Sequence, residues 1–255
     1  MNRSAISRLL PAAGLLAVAL AAAGDQHRGT AEWPTGELHF ARMVYTDRGS
    51  YGFGRGYGSW TVDYPEAEYH FTEGVGRLTR VDVSRESRII QLTDDSLFDY
   101  PWLYAVEVGR WYLDDVEAAR LREYLLRGGF LMVDDFHGTY QWAGFVESMT
   151  RVFPDRPIVD IQDDDEVLHV LYDLDQRIQI PGIRAVLYGT TYEEDGVIPR
   201  WRGVYDDQGR LMVAINHNMD LGDAWEHADD PRYPAPMTAL AYRFAVNYVI
   251  YAMTH

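Results

Sequence analysis

The chain has 255 residues, 47% of them hydrophobic and 24% charged, so it is long and apolar enough to bury a sizeable core. It has no cysteine and no lysine, and its 23 basic residues, all arginine, face 39 acidic residues for a formal net charge of -16. These features exclude thiol nucleophiles, disulfides, cysteine-ligated zinc and lysine Schiff bases, and the negative field makes nucleic acid an unfavourable partner.

The first 23 residues have the pattern of a secretory signal peptide. Arg3 and Arg8 precede a short apolar run from Leu9 to Leu20, and small residues follow up to Ala23. The run is shorter than the roughly 20 apolar residues that a membrane-spanning helix needs. We therefore expect cleavage after Ala23 and no stable membrane span afterwards, with an uncleaved anchor as the alternative.

The rest of the chain is expected to be an exported protein, in the periplasm or outside the cell. Residues 24–36 are polar and contain glycine and proline, which predicts a flexible tether. Residues 37–255 show no second linker and no internal repeat, and they are expected to form a single domain. An exported chain without cysteine must gain its stability from packing rather than from disulfides.

Strand-like and helix-like segments alternate through this domain. In chain order, the pattern predicts a strand at 37–45, a helix from an Asp63 cap to about Leu78, strands at 81–83 and 101–108, a helix capped by Asp114 and Glu117, a strand at 130–133, a helix bearing Phe145 and Met149, a strand at 158–161, a hairpin of strands 200–205 and 210–216, and a helix at 236–253. This order is typical of an α/β sandwich with a mainly parallel sheet, here with a C-terminal hairpin and terminal helix.

Glycine occurs at every second or third position between Gly49 and Gly58. The segment follows a predicted strand, but it lacks the third glycine of a dinucleotide-binding loop. We interpret it as a surface loop, and a role as a flap over a site stays open.

Four separated motifs are similar to a known family: Trp60 to Glu68, Gly128 to Asp135, Asn216 to His227 and Ala245 to His255. Together they resemble the bacterial family called domain of unknown function 4159. That family is thought to resemble the class I glutamine amidotransferase-like fold, a flavodoxin-like sandwich, so the resemblance implies this fold here. It implies no activity, because the family has no established function.

In the amidotransferases, a cysteine nucleophile follows a central strand at a sharp turn. The matching strand here, Phe130 to Val133, leads into Asp134 and Asp135 instead. Glutaminase chemistry by that route is therefore excluded. No serine has the glycine pattern of a nucleophile elbow either.

Two polar clusters follow predicted strands, at the edge where open α/β sheets bind ligands. A ligand-binding site is predicted from both clusters together, and its residues are Asp134, Asp135, His137, His217, Asn218, Asp220 and Trp225. The same clusters could instead hold a divalent metal ion, with the ligands Asp134, Asp135, His137, His217 and Asp220. In a purely structural interpretation, Asp134 and Asp135 accept hydrogen bonds from backbone N–H groups, and Asn218 and Asp220 are ordinary turn residues.

Two functions follow from this pattern. The leading interpretation is a non-catalytic domain that binds a small molecule or a periplasmic protein and needs no cofactor. The alternative is a metal-assisted hydrolase acting on carbohydrate or another small substrate through the Asp and His loops. Both require the segments 134–137 and 217–223 to meet in one pocket.

Overall fold

The computed structural model describes residues 38–48 and 58–255. The predicted signal peptide 1–23, the tether 24–36 and most of the glycine-rich segment lie outside the described residues. Among the helices that are described, none combines the length and the apolar composition needed to cross a membrane.

A seven-stranded sheet organises the described part of the chain. The strands are β1 (Ala41–Val44), β2 (Thr46–Asp47), β3 (Arg88–Gln91), β4 (Trp102–Val106), β5 (Trp111–Tyr112), β6 (Phe130–Asp134), β7 (Val159–Asp160), β8 (Arg200–Tyr205) and β9 (Leu211–His217). The sheet order is β3-β1-β4-β6-β9-β8-β7, while β2 and β5 pair separately. The first five strands of this order are parallel, and β8 and β7 complete one edge in antiparallel fashion. The predicted mainly parallel α/β architecture is therefore confirmed.

Helices cover both faces of the sheet. They are α1 (Glu66–Leu78), α2 (Asp115–Leu126), α3 (Gly138–Val152), α4 (Ile183–Tyr188), α5 (Leu221–Glu226) and α6 (Ala235–Thr254). Buried side chains of α1, α5 and α6 pack on one face, and those of α2 and α3 pack on the other. Successive strand residues point to opposite faces, and helices cover both faces, so β4 and β6 are buried along their whole length. This explains why they read as continuous apolar runs.

Two local predictions were wrong. Asp63 does not cap α1, which begins at Glu66 after Pro65 and has no side-chain cap; Asp63 instead has a left-handed backbone conformation, with φ of 63°. The predicted strand at 81–83 makes only one bridge, from Val83 to Leu38, and β3 forms later in the chain. β3 lies at the sheet edge and is only partly buried, and its sequence lacks a clear apolar alternation.

The capping of α2 agrees with the prediction. Asp114 Oδ1 accepts a hydrogen bond from the Glu117 N–H at 2.8 Å, and Glu117 Oε2 accepts one from the Asp114 N–H at 3.1 Å. The reciprocal pair satisfies two backbone donors that the first turn of a helix otherwise leaves free.

Candidate functional site

Three neighbouring strands end in the same unusual backbone conformation. Glu107 follows β4, Asp135 follows β6 and Asn218 follows β9, with φ values of 53°, 49° and 65°. Left-handed backbone is uncommon outside glycine and costs on the order of 1–3 kcal/mol per residue. The left-handed conformation at these three ends turns the chain sharply at the carboxyl edge of the sheet, which is where α/β folds bind ligands.

The two loops singled out from the sequence meet at this edge. The Asp135 N–H donates to the Met219 carbonyl at 2.9 Å, and the Asn218 N–H donates to the Phe136 carbonyl at 3.0 Å. The Gly138 N–H donates to Asn218 Oδ1 at 2.8 Å. Segments 134–137 and 217–223 therefore form one hydrogen-bonded unit.

Asp134 is a structural part of this unit. It is completely buried, and its Oδ2 accepts hydrogen bonds from the Leu221 N–H at 2.7 Å and the Gly222 N–H at 3.1 Å. Burial raises the pKa of Asp134 to about 6. The side chain thus ties the end of β6 to the start of α5, as the structural interpretation of the sequence suggested.

Three predicted site residues make contacts within the scaffold. His217 packs against the rings of Phe136 and Trp142, with centroid distances of 4.9 and 4.8 Å, and burial lowers its pKa to about 4. Trp225 has no exposed surface and belongs to the core. Asn218 uses its Oδ1 for the Gly138 N–H and its Nδ2 for the Ile198 carbonyl. All three side chains are buried, and their role in ligand binding stays a prediction.

A carboxylate cluster lies where the loops meet. Asp63, Asp220 and Asp223 each place a carboxylate oxygen within 4.8 Å of the other two. Burial raises the pKa of Asp63 and of Asp220, and neighbouring carboxylates raise both further. Asp220 also caps α5, because it accepts the Asp223 N–H at 2.7 Å. We call these three residues the carboxylate cluster.

Glu193 lies next to the carboxylate cluster, beside Gly182. An alanine Cβ at Gly182 would lie 2.7 Å from Asp220 Oδ2, 2.8 Å from Glu193 Oε1 and 3.1 Å from Asp223 Oδ2. Three carboxylate oxygens, two from the start of α5 and one from the segment before β8, thus converge on one glycine. Sequence reasoning missed Glu193, because it lies in an irregular segment with several other acidic residues and no motif distinguishes it.

Asp135 and His137 lie next to the carboxylate cluster. His137 Nε2 is 3.2 Å from Asp135 Oδ1, while His137 Nδ1 is buried and has no hydrogen-bond partner among the described residues. Burial raises the pKa of Asp135, and the charges of Glu107, Asp134 and Asp223 add to this effect. Burial lowers the pKa of His137.

Buried Arg42 on β1 positions Asp63. Its guanidinium pairs with Glu68, and its Nη1 donates to the Trp60 carbonyl at 3.0 Å and the Val62 carbonyl at 2.9 Å. These bonds hold the backbone just before Asp63, so the carboxylate reaches the cluster from a braced loop.

The sequence from residue 39 to residue 253 matches the model of a protein family described as a domain of unknown function (DUF4159). The chain belongs to this family. A search of curated proteins finds no match.

A second group of possible metal ligands in this DUF4159 domain shares Asp223 with the carboxylate cluster. Asp223, Glu226 and His227 each offer one ligand atom, and these atoms lie within 4.8 Å of one another. His227 Nε2 is 3.6 Å from Asp223 Oδ1 and 3.6 Å from Glu226 Oε2. The DUF4159 domain therefore carries two neighbouring groups of possible cation ligands that have one residue in common.

Proposed function

We propose that the carboxylate cluster binds a divalent cation, and that the bound cation holds a small ligand at the carboxyl edge of the sheet. The observation that carries this proposal is the approach of the Asp63, Asp220 and Asp223 oxygens to within 4.8 Å of one another. Like charges this close, and partly buried, disfavour one another strongly. A divalent cation offsets both the repulsion and the lost hydration.

Asp63 gives this proposal further support. Its Oδ2 is buried and accepts no hydrogen bond from the described residues. A buried carboxylate oxygen without a partner costs free energy unless a proton or a cation compensates it. Asp63 therefore has the free lone pairs of a ligand, whereas Asp134 Oδ2 is already occupied by backbone N–H groups.

The donor atoms favour a hard cation. The cluster and Glu193 offer only carboxylate oxygens, which suit Ca²⁺, Mg²⁺ and Mn²⁺ better than softer metals. Of the metal ligands expected from the sequence, Asp220 is part of this set and Asp135 lies beside it. Asp134 and His217 are engaged elsewhere in the scaffold.

Calorimetric titration of chelator-treated protein with CaCl2, MgCl2 and MnCl2 tests the proposal. We expect at least one of the three salts to bind, and Asp220→Asn and Asp223→Asn to weaken the affinity by about tenfold or more, roughly 1.4 kcal/mol. Asparagine at 220 can still accept the capping hydrogen bond, so this variant removes charge rather than structure. Asp164→Asn, an exposed acidic position outside the cluster, is the matched control. No binding of any of the three ions to the wild-type protein would overturn the proposal.

We also propose that the domain has the flavodoxin-like, amidotransferase-like fold. Numbered by chain order, the five parallel strands lie in the order 2-1-3-4-5, which is that of flavodoxin-like sheets. On this proposal, Asp135 in the sharp turn after β6 takes the position that the nucleophile has in the amidotransferases. Asp135 cannot replace a thiol in glutaminase chemistry. This favours a site that binds a ligand over one that forms a thioester intermediate.

Metal-assisted hydrolysis is the second candidate function. The Asp135–His137 contact favours it, because a carboxylate that holds one imidazole nitrogen orients the other as a proton acceptor. We expect any turnover of p-nitrophenyl phosphate or p-nitrophenyl glycosides to require the cation and to be lost in His137→Gln. If the cation binds and the wild-type protein turns over none of these substrates, hydrolysis of these classes is refuted and cation-dependent binding stands.

Export remains part of the proposal. Its support is the order of arginines, apolar run and small residues in the first 23 positions. In the periplasm or outside the cell, a calcium-type site would be exposed to the external supply of the ion.

A further inference from the structure

We infer that Asp223 bridges two cations, so that the site is a binuclear metal centre rather than a single-ion site. The second cation would be held by Asp223, Glu226 and His227. This inference rests on the proposed function, because the first cation is the one held by the carboxylate cluster. It adds a second ion, the residues that bind it and the residue that joins the two positions.

The two oxygens of Asp223 face different partners. Oδ2 accepts the Ile183 N–H at 2.7 Å and lies on the Gly182 side, where Asp220 Oδ2 also lies. Oδ1 lies 3.6 Å from His227 Nε2. One carboxylate therefore reaches both groups of ligands with different atoms, which is the arrangement of a bridging ligand. Bridged cations in two-metal sites are about 3.5–4 Å apart.

The position of α5 explains why the two ligand groups share a residue. Asp223, Glu226 and His227 are spaced i, i+3 and i+4, so they lie along one side of this short helix and its last turn. Asp220, at the N-cap, approaches the same region from the start of the helix. This short helix and its two caps thus supply ligands to both positions, and the Asp134 hydrogen bonds anchor the helix to β6.

A separate observation points to a ligand at the Asp63 end of the centre. Asp63 Oδ2 is buried and has no hydrogen-bond partner among the described residues, whereas the buried Tyr104 hydroxyl interacts with the Asp134 carboxylate. This hydroxyl lies 2.7 Å from the place that a Cβ would take at Gly222, and Asp63 Oδ2 lies beside the same point. Buried polar groups in native proteins are almost always satisfied. A cation bound at Asp63 would satisfy this carboxylate oxygen.

The second position differs from the first in its chemistry. An imidazole nitrogen together with carboxylate oxygens suits Mn²⁺, Fe²⁺, Co²⁺ and Zn²⁺, whereas an all-carboxylate set suits Ca²⁺, Mg²⁺ and Mn²⁺. Mn²⁺ accepts both donor sets, so it is the ion that fills both positions. Two cations joined by a carboxylate can clamp one oxyanion of a ligand between them, and phosphate and carboxylate groups are the chemical class that this geometry takes.

Titration of chelator-treated protein with MnCl2, followed by calorimetry and electron paramagnetic resonance, tests the inference. We expect two Mn²⁺ per chain and a spectrum of exchange-coupled ions, as two Mn²⁺ ions about 4 Å apart must give. His227→Gln and Glu226→Gln should each leave one uncoupled Mn²⁺. His169→Gln, whose imidazole contacts Asp173 away from the site, should leave two.

Each other outcome has a distinct meaning. One Mn²⁺ per wild-type chain, unaffected by His227→Gln, overturns the binuclear centre and leaves the proposed function intact. Two uncoupled Mn²⁺ ions overturn the bridging role of Asp223. No bound Mn²⁺, Ca²⁺ or Mg²⁺ overturns both proposals. A thermal melt of each variant shows that it is folded, and the Glu226→Gln result decides if His227→Gln does not fold.

Discussion

Gly182 offers a direct steric test of the carboxylate cluster. In Gly182→Ala, the new Cβ would lie 2.7 and 2.8 Å from two carboxylate oxygens, whereas ordinary contacts begin at 3.4 Å. These oxygens, on Asp220 and Glu193, must therefore move by about 0.6 to 0.7 Å. Metal–ligand distances tolerate only about 0.2 Å, so at least one ligand should be lost. We expect the cation affinity to fall by about tenfold or more, which corresponds to ~1.4 kcal/mol.

The fold should tolerate this substitution. Gly182 has φ of -66° and ψ of 157°, an extended conformation that alanine adopts without strain. Gly76→Ala is the matched control, since its Cβ on α1 would meet nothing within 4 Å. Calorimetric titration with the cation and thermal melts without it separate binding from stability. Wild-type affinity in Gly182→Ala would refute the convergence of ligands at this glycine.

Three further outcomes are expected. Burial raises the pKa of Asp134 from 3.8 to about 6, so its buried charge destabilises the folded state fully above pH 6 and not below pH 4. Asp134→Asn should therefore raise the unfolding free energy by up to about 3 kcal/mol at pH 8. Denaturant titrations in chelator should show this stabilisation decrease as the pH falls towards 4. Asp114→Ala should lower the unfolding free energy by about 1 kcal/mol through loss of the α2 capping box, and an unchanged melting curve would contradict that role. N-terminal sequencing of the protein recovered from the periplasm or medium should begin at Gly24, and a start at Met1 would support the uncleaved anchor.

Local sequence patterns predict most of the described secondary structure. The runs that became β4 and β6 are apolar throughout because helices cover both faces of the sheet. The α2 cap and the β8–β9 hairpin depend on residues close to one another in the chain, so their signals survive in the sequence. Edge strand β3 was missed, because partial burial leaves its composition mixed.

The candidate site was only partly predictable. Asp220 was identified because it follows a strand, and it belongs to the carboxylate cluster. Asp63 looked like an ordinary helix cap, whereas its left-handed backbone and the Arg42 bonds direct it to the cluster. His217 and Trp225 were predicted to lie in a ligand-binding site, since sequence cannot tell an imidazole or indole packed among aromatic rings from one that faces a pocket.

The sequence alone determined the class of the molecule: an acidic α/β chain without cysteine or lysine, whose polar residues gather after its strands. The tertiary structure decided which of those polar residues share a site. Asp63, Glu193 and Asp223 come from segments far apart in the chain, and the parallel sheet order brings them to one edge. Periodicity reports which side of an element is buried, but the convergence of distant carboxylates depends on how the strands are ordered and how the chain turns where they end.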